Sequence, residues 1–445
     1  MEIAKILKPY LGKVGFGKFL DLTAGMALAL GPKTVCELYA ASGMEGHWTR
    51  AHKFFSEGKW SPDMLGLAML DLIVERLVPK GARIDLVGDG TLWRRYGREI
   101  FKAFYQYDPS PQVPGNKKIG FGNGWVVLGI IVHLPFCDHE ICLPLLARMK
   151  GKSTSKRKAK SDSELVLEMV KLVEARLPKR RFLLRVDAAF KILGIYSECT
   201  DVVTRATGAA ALYEPPPVIE GKRGKGRPRV YGDKLGKLTE LASDERYPWE
   251  EAKDESGEIV RKLKYIPCRR RATKSISLVC VLVIEADELA KPEGKRRPFS
   301  VALLCTDTSM SAQEVQSAYA GRWSIENCFQ DVRHVTGVGQ QRSWCKKSVQ
   351  RAVPFGLLAH SLILTWFSLK VDHEHELQLH NQARPWHRKQ NLSTSDALAR
   401  LRFEIVVGHF SAGRGQAPPA EKSSRAEFLT LRGDTLMALA TLVAA

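Results

Sequence analysis

The sequence predicts an α/β protein: a mixed sheet with flanking helices, preceded by a helical segment and interrupted by a strand-rich stretch. Three observations carry this. Helical periodicity fills residues 1–80. At residue 83 the period changes to apolar runs of strand length with one helical repeat between them. From about residue 200 to 296, strand-like runs lie between Gly- and Pro-rich basic turns, and an apolar run resumes at Arg297. The expected divisions are 1–80, a helical DNA-binding segment; 81–199 and 297–370, two parts of one sheet-and-helix domain; 200–296, a β-rich insertion; and 371–445, a helical or flexible C-terminal region.

Each element follows from local chemistry. Thr34-Val-Cys-Glu37 has the form of a capping box, opening a helix to about Ser42, with Gly43 allowing a sharp turn. A second helix is expected from about Glu45 to Phe55, with His47, Arg50, His52 and Lys53 on it. The pair has a helix-turn-helix form in which Arg50 and Lys53 would meet DNA, although two-helix turns are also common without DNA. Ser61-Pro62 starts a third helix whose Leu65, Met69, Leu72 and Ile73 repeat helically. Arg83 to Asp89 reads as a short strand ending in an acid, Trp125 to Leu134 as a strand buried on both faces, and Ile141 to Leu146 as another. Ser163 to Leu177 repeats as a helix, and Arg181 to Asp187 is again a strand ending in an acid. Strand-like runs follow at Asp201–Thr204 and Ser275–Ile284, with Arg297–Leu304 as the last strand. The apolar run Ala352–Leu369 is broken by Pro354, Gly356, His360 and Ser361, which favours a buried core helix over a membrane span. A polar loop is expected after Lys370, then a helix around Ser395–Val407, a flexible stretch from Gly408 to Ser424 and a last helix from Glu427 to Ala445.

The net charge of +20, with 44% hydrophobic content, suits a globular protein with a polyanionic partner, nucleic acid ahead of membrane. Nine scattered cysteines form no disulfide framework, so a reducing, cytoplasmic setting is expected. Lys13 and Lys18 precede an apolar run like that of an export signal, but Asp21 interrupts it. Cys137-Asp138-His139-Glu140-Ile141-Cys142 and His373-Glu374-His375 lack the second half that a zinc site needs.

The most informative stretch is Tyr319 to Arg333. On one helix, at about 100° per residue, Tyr319, Arg322, Glu326 and Arg333 would fall within roughly 60° of one another. An acid beside two guanidiniums and a phenol suits a place where a DNA backbone meets a metal ion, and the same spacing also fits a solvated face with a Glu–Arg pair. Asp89 and Asp187 at strand ends can converge with Glu326, and two or three convergent carboxylates hold Mg²⁺ or Mn²⁺ well. Taken singly, Asp89 also fits a turn residue and Asp187 a helix cap.

Here the chain resembles insertion-sequence transposases of the IS4 superfamily. Tyr319, Arg322, Glu326 and the basic residue at 333 match the Y-x2-R-x3-E-x6-K signature of that group. Asp89-Gly90-Thr91 is similar to its first acidic motif and Arg185-Val-Asp187-Ala-Ala to its second. Val203-Thr-Arg205, Ala211-Leu-Tyr-Glu-Pro-Pro and Gly226-Arg-Pro-Arg-Val-Tyr-Gly232 are similar to the insertion of the IS701-like branch. The likeness covers roughly residues 30–405. It implies an RNase H-like catalytic domain split by a β-rich insertion, with Asp89, Asp187 and Glu326 as catalytic residues and ligands of two Mg²⁺ (or Mn²⁺) ions. It further implies double-stranded DNA as substrate at transposon ends and target, a hairpin intermediate in relatives, a homodimer on DNA and a place at the bacterial nucleoid. Tyr319, Arg322 and Arg333 would then contact phosphates or a turned-out base. Trp249 would offer such a base an indole platform, or else anchor the insertion. Lys225-Gly-Arg-Pro-Arg229 is similar to the core of an AT-hook, giving Arg227 and Arg229 minor-groove or backbone contacts.

Two departures stand out. Position 333 carries a planar guanidinium where the signature has a compact ammonium. Gly90 replaces a second acid that many relatives carry, leaving Asp89 alone in its motif, with Asp85 on the same strand face as the lesser alternative. Two other functions fit the same residues: a metal-dependent nuclease that cleaves without joining, and a DNA-binding protein of transposase origin.

Overall fold

The computed structural model describes residues 2–413, apart from 109–117, 156–157, 192–196, 209, 218–228, 255 and 271–275. In chain order the helices are α1 (Lys8–Leu28), α2 (Val35–Ser42), α3 (Thr49–Ser56), α4 (Pro62–Leu77), α5 (Asp162–Arg176), α6 (Leu238–Ser243), α7 (Ala286–Leu289), α8 (Ala312–Gly321), α9 (Ser324–His334), α10 (Lys346–Lys370), α11 (His373–Ala383) and α12 (Thr394–Gly413). The strands are β1 (Ile84–Arg94), β2 (Phe104–Tyr107), β3 (Ile119–His133), β4 (Glu140–Met149), β5 (Phe182–Val186), β6 (Thr200–Arg205), β7 (Trp249–Lys253), β8 (Ile259–Arg269), β9 (Ser277–Glu285) and β10 (Val301–Cys305). This is the mixed α/β class expected. Two compact units divide the chain: Met1–Lys80, Gly90–Lys160 and Glu326–Ala445 form the first, and Gly81–Asp89 with Ser161–Ile325 the second.

In the first unit, helices α1, α3 and α4 pack on α10, and α2 packs on α1. Thr34 accepts the amide of Glu37, one half of the expected capping box, and α2 ends at Gly43 in the left-handed region (φ 67°). Gly25 lets α1 meet α2 closely, because a Cβ there would lie 2.1 Å from the Leu38 carbonyl oxygen. Gly25→Ala must push backbone from backbone, and we expect it to cost roughly 1–3 kcal/mol in denaturant unfolding. An unchanged midpoint would mean that the helices are not held at this spacing.

Helix α10 is long and apolar enough to cross a membrane, yet 89% of its apolar window is buried in the fold. Phe355 at its centre takes the edges of Phe19 and Phe55, each with ring centroids 5.3 Å away. The expected core helix is therefore present. The apolar run that Asp21 interrupts lies in α1, where Phe19, Leu22, Met26 and Ala27 are buried. Strand β3 pairs antiparallel with β2 on one side and with β4 along its length. All nine cysteines are free thiols.

The second unit runs β1-β5-β6-β10-β9-β8-β7 across its sheet. β1, β5 and β6 are parallel, and β10 onward is antiparallel. Leu183, Val203, Val281, Leu303 and Val315 meet in one core between the sheet and α8.

Several expectations are corrected. Helix α3 begins at Thr49, because Gly46 holds a positive φ of 87° and breaks the earlier turn. Strand β1 does not end at Asp89 but runs on to Arg94, since Thr91, Leu92 and Trp93 favour extended backbone and bury. Strands β2, β7 and β8 were not anticipated; β7 and much of β8 carry charged residues with half-exposed faces. Residues after Lys370 form helix α11 rather than a loop, capped by Asp372, which accepts the His375 amide at 3.1 Å. Helix α12 continues to Gly413, past the expected stop at Val407. The helix expected at Glu427–Ala445 lies outside the described residues.

The largest correction concerns the stretch Tyr319–Arg333. It is two helices, α8 and α9, joined at Arg322–Trp323. The joint is closed by bonds to the third residue back: Arg322 N to Tyr319 O at 3.1 Å, Trp323 N to Ala320 O at 3.1 Å and Ile325 N to Arg322 O at 3.2 Å. Such a tighter turn advances by about a third of a circle per residue. The four side chains therefore do not form one straight stripe on one helix.

Candidate active site

The register of the second unit brings the chain to two carboxylates on neighbouring strands. Gly88 of β1 is paired with Val186 of β5 in parallel register. Asp89 and Asp187 are the next residues on each chain. Neighbouring strands lie about 4.8 Å apart, and equivalent positions of a parallel pair face the same side. The Asp187 backbone is fixed by its carbonyl, which accepts from Thr204 Oγ1 at 3.1 Å and from the Phe190 amide at 3.0 Å.

Their face follows from Gly88. A Cβ there would meet Val166 of α5 at 3.3 Å, so Gly88 faces α5. The alternation of a strand then turns Asp89 to the opposite face, the one covered by α8. Two side chains from the end of α8 reach down to it. The Tyr319 hydroxyl lies 3.4 Å from Asp187 Oδ1 and donates to it. Arg322 Nη1 lies 3.6 Å from Asp89 Oδ2. Arg322 is only 8% exposed, and its guanidinium sits 5.6 Å from the centre of the Tyr319 ring and 5.8 Å from that of Trp323. Burial pushes the Tyr319 phenol above its ordinary pKa, with Arg322 opposing and the Asp187 carboxylate adding to the rise. The phenol thus keeps its proton and remains a donor near neutral pH. Arg205, exposed at the end of β6, also acts on Tyr319 through its charge.

Below this pair the same face carries a charged strut. Buried Arg185 hydrogen-bonds Asp85. Asp85 Oδ1 also accepts from Arg83 Nε at 3.2 Å, and Arg83 Nη1 reaches Asp307 at 3.4 Å. Asp85 is therefore held by two guanidiniums. The sequence reading passed over this strut and the exposed indole of Trp323, 57% accessible beside Arg322. The Arg185-Val-Asp187 alternation was the available signal for the first, since it puts the guanidinium and the acid on one strand face.

Each of the other expected residues has its own local setting. Glu326 is half-buried in the first turn of α9 and begins the return of the chain into the first unit. Arg333, in the last turn of α9, hydrogen-bonds the Thr91 hydroxyl and lies 6.0 Å from the Phe329 ring centre. Burial lowers the pKa of its guanidinium, with Asp108 opposing. Arg50 and Lys53 are exposed on α3; Arg50 donates to the Glu45 carbonyl at 3.0 Å and Lys53 lies 3.8 Å from Glu57. Trp249 opens β7 as an anchor in the second unit: its indole N–H donates to the Ala242 carbonyl at 3.1 Å, and Lys264 Nζ sits 5.1 Å from its ring centre. Arg229 is exposed, and Arg227 lies outside the described residues. Among the described residues no group of three or more His, Cys, Asp or Glu side chains is gathered so as to hold a metal ion, the Cys137–Cys142 segment included.

A family model described as DDE superfamily endonuclease matches residues 13–272. The match spans Asp89 and Asp187 and ends before Tyr319. No curated protein matches the chain. Members of the superfamily act on DNA and generally use divalent metal ions. More than half of the chain falls within that match, which spans both aspartates; the chain belongs to the DDE superfamily endonucleases.

Proposed function

We propose that the chain is a DNA transposase of the IS4 superfamily, IS701-like, which cleaves transposon ends and joins the freed 3′-hydroxyls to target DNA. The observation that carries this is that Asp89 and Asp187 each follow directly on the registered pair Gly88–Val186, with Tyr319 bonded to Asp187 and Arg322 beside Asp89. Two adjacent carboxylates are hard oxygen donors of the kind that divalent Mg²⁺ or Mn²⁺ takes, so these residues fit the ions that the superfamily uses. Asp89, Asp187 and Glu326 would hold them. Such ions, when bound, would supply the chemistry that makes water a nucleophile at neutral pH and stabilises the leaving oxygen of an in-line displacement.

The remaining work falls to the chain's own side chains. Arg322, buried and stacked between two rings, presents a fixed charge to a phosphate beside Asp89. Tyr319 holds the Asp187 carboxylate by a hydrogen bond and keeps its orientation as charge develops. Water first attacks the phosphodiester at the transposon end and the 3′-oxygen leaves; that 3′-hydroxyl then attacks a target phosphate in line. The same carboxylates serve both displacements, and a hairpin at the transposon end belongs to this scheme. Arg333 adds a phosphate contact, while Arg205, Arg227, Arg229, Arg50, Lys53 and Trp249 contact DNA away from the carboxylates. Two copies of the chain would hold two ends.

The family's description as an endonuclease favours a second reading, cleavage without joining. A pre-cut transposon end incubated with a target plasmid separates the two. We expect a covalently joined product with the 3′-end in the plasmid. Nicked or linear DNA without joined product would replace the transposase by the nuclease. Glu326→Ala is expected to abolish both reactions; if it alters neither, Glu326 has no part in them.

A further inference from the structure

A cavity of about 530 Å³ lies within the first unit, between the α1–α2 connection and the turn that follows α9. Lys33, Arg402, His334 and Gln340 supply its polar lining, and its walls include no carboxylate. Lys33 is 7% exposed and firmly seated. Its amide donates to Gln340 Oε1 at 2.8 Å and its ammonium to the Ala29 carbonyl. Its stem runs so close to Gly337 that a Cβ there would stand 2.2 Å from Lys33 Cγ. Arg402 Nε is engaged by the Ala27 carbonyl at 2.9 Å, which fixes the fork beside Lys33.

Two cations thus share a concave site with no anion in its walls. The electrostatic consequence is visible in Lys33: burial first, and the Arg402 charge second, bring its pKa down to about 8. An arrangement that costs free energy when empty gains most from an anion with several acceptor oxygens, which would bond both heads at once. His334 at the rim adds a donor. We propose that this cavity binds a phosphate group and that the phosphate is one of the DNA backbone. The source rests on membership of a DNA-cleaving family and on the +20 charge, and the site uses none of the carboxylates assigned to cleavage.

The test uses the full chain without divalent ions, so its result is independent of the cleavage chemistry. Inorganic phosphate binding is measured by calorimetry, and binding of a short labelled duplex by fluorescence anisotropy over a range of salt. We expect Lys33→Met and Arg402→Gln each to weaken both about tenfold and to lower the slope of log affinity against log salt by about one. Near pH 8, where Lys33 faces only Arg402 and His334 among titratable lining groups, phosphate binding by the unaltered chain should take up protons and weaken as the pH rises. Loss of phosphate binding with DNA affinity unchanged would keep the phosphate site and overturn its DNA source. Phosphate and DNA affinities unchanged in both variants would overturn the proposal. Circular dichroism checks the fold; should Lys33→Met fail to fold, the half-buried Arg402→Gln decides.

Discussion

Asp187→Asn should lower the rate of DNA cleavage by about 10³-fold or more while leaving DNA binding intact. The change keeps the shape of the side chain, and an amide oxygen can still accept from Tyr319, 3.4 Å away, so the fold should persist. What is lost is a full negative charge at a strand end where the proposed chemistry gathers hard anionic donors. Electrostatic contributions of that kind are among the largest single terms in catalysis, commonly a factor of about 10²–10³ for one neutral donor and more for an ion's ligand. Asp89→Asn should behave alike, with one difference: the negative charge 3.6 Å from Arg322 is gone, so metal-free DNA binding should tighten slightly. Cleavage of end-labelled duplex in Mg²⁺, followed against time, measures the first effect and anisotropy without metal the second. A wild-type cleavage rate in either variant removes the pair from the reaction.

Asp85→Ala should destabilise the second unit by about 3 kcal/mol, the largest stability effect we expect. Arg185 is 3% exposed and hydrogen-bonded to Asp85. Removing the carboxylate takes a charge-assisted hydrogen bond from a guanidinium in the interior, and breaking a buried pair from one side costs about 3–5 kcal/mol. We take the lower end because Arg83, freed from Asp85, keeps Asp307 at 3.4 Å. The double change Asp85→Leu with Arg185→Met should recover most of the loss, since apolar replacement of both partners removes the desolvation penalty as well. Urea unfolding of the three proteins reads this directly; a double variant no better than Asp85→Ala would mean that the pair stabilises by its own attraction. The cleavage rate adds a control. Asp85 is held by two cations, so its loss should act on cleavage through stability and not as a missing acid.

How much of this was legible depends on what each signal required. The class of fold was legible because periodicity changes sharply at residue 83 and apolar runs such as Trp125–Leu134 are too uniform for a surface. Asp89 and Asp187 stood out as acids after apolar runs, and each follows directly on the last registered pair of β1 and β5. Their adjacency could not be read from the sequence, because it is a tertiary match between positions on β1 and β5 far apart along the chain. The break at Arg322–Trp323 was hidden for a different reason. No Gly or Pro marks it, and a tighter turn keeps helical backbone angles at Arg322 (φ −54°, ψ −31°), so spacing alone reads straight through. Strands β7 and β8 were missed because Glu, Lys and Arg on half-exposed faces mask the alternation. The Lys33 cavity had no sequence signal at all: its lining comes from three separate stretches of the chain.

Strand β6 sits between a neighbour made before it and one made long after it. Its parallel partner β5 is complete at Val186, but its antiparallel partner β10 begins at Val301. A ribosome adding about 5–20 residues per second needs several seconds or longer to cover that interval. Throughout it, one side of β6 offers a row of unsatisfied amides and carbonyls flanked by valines, a template for another nascent copy. Production of this protein should therefore be sensitive to the speed of translation and to temperature, with soluble yield rising when cells are cooled during expression.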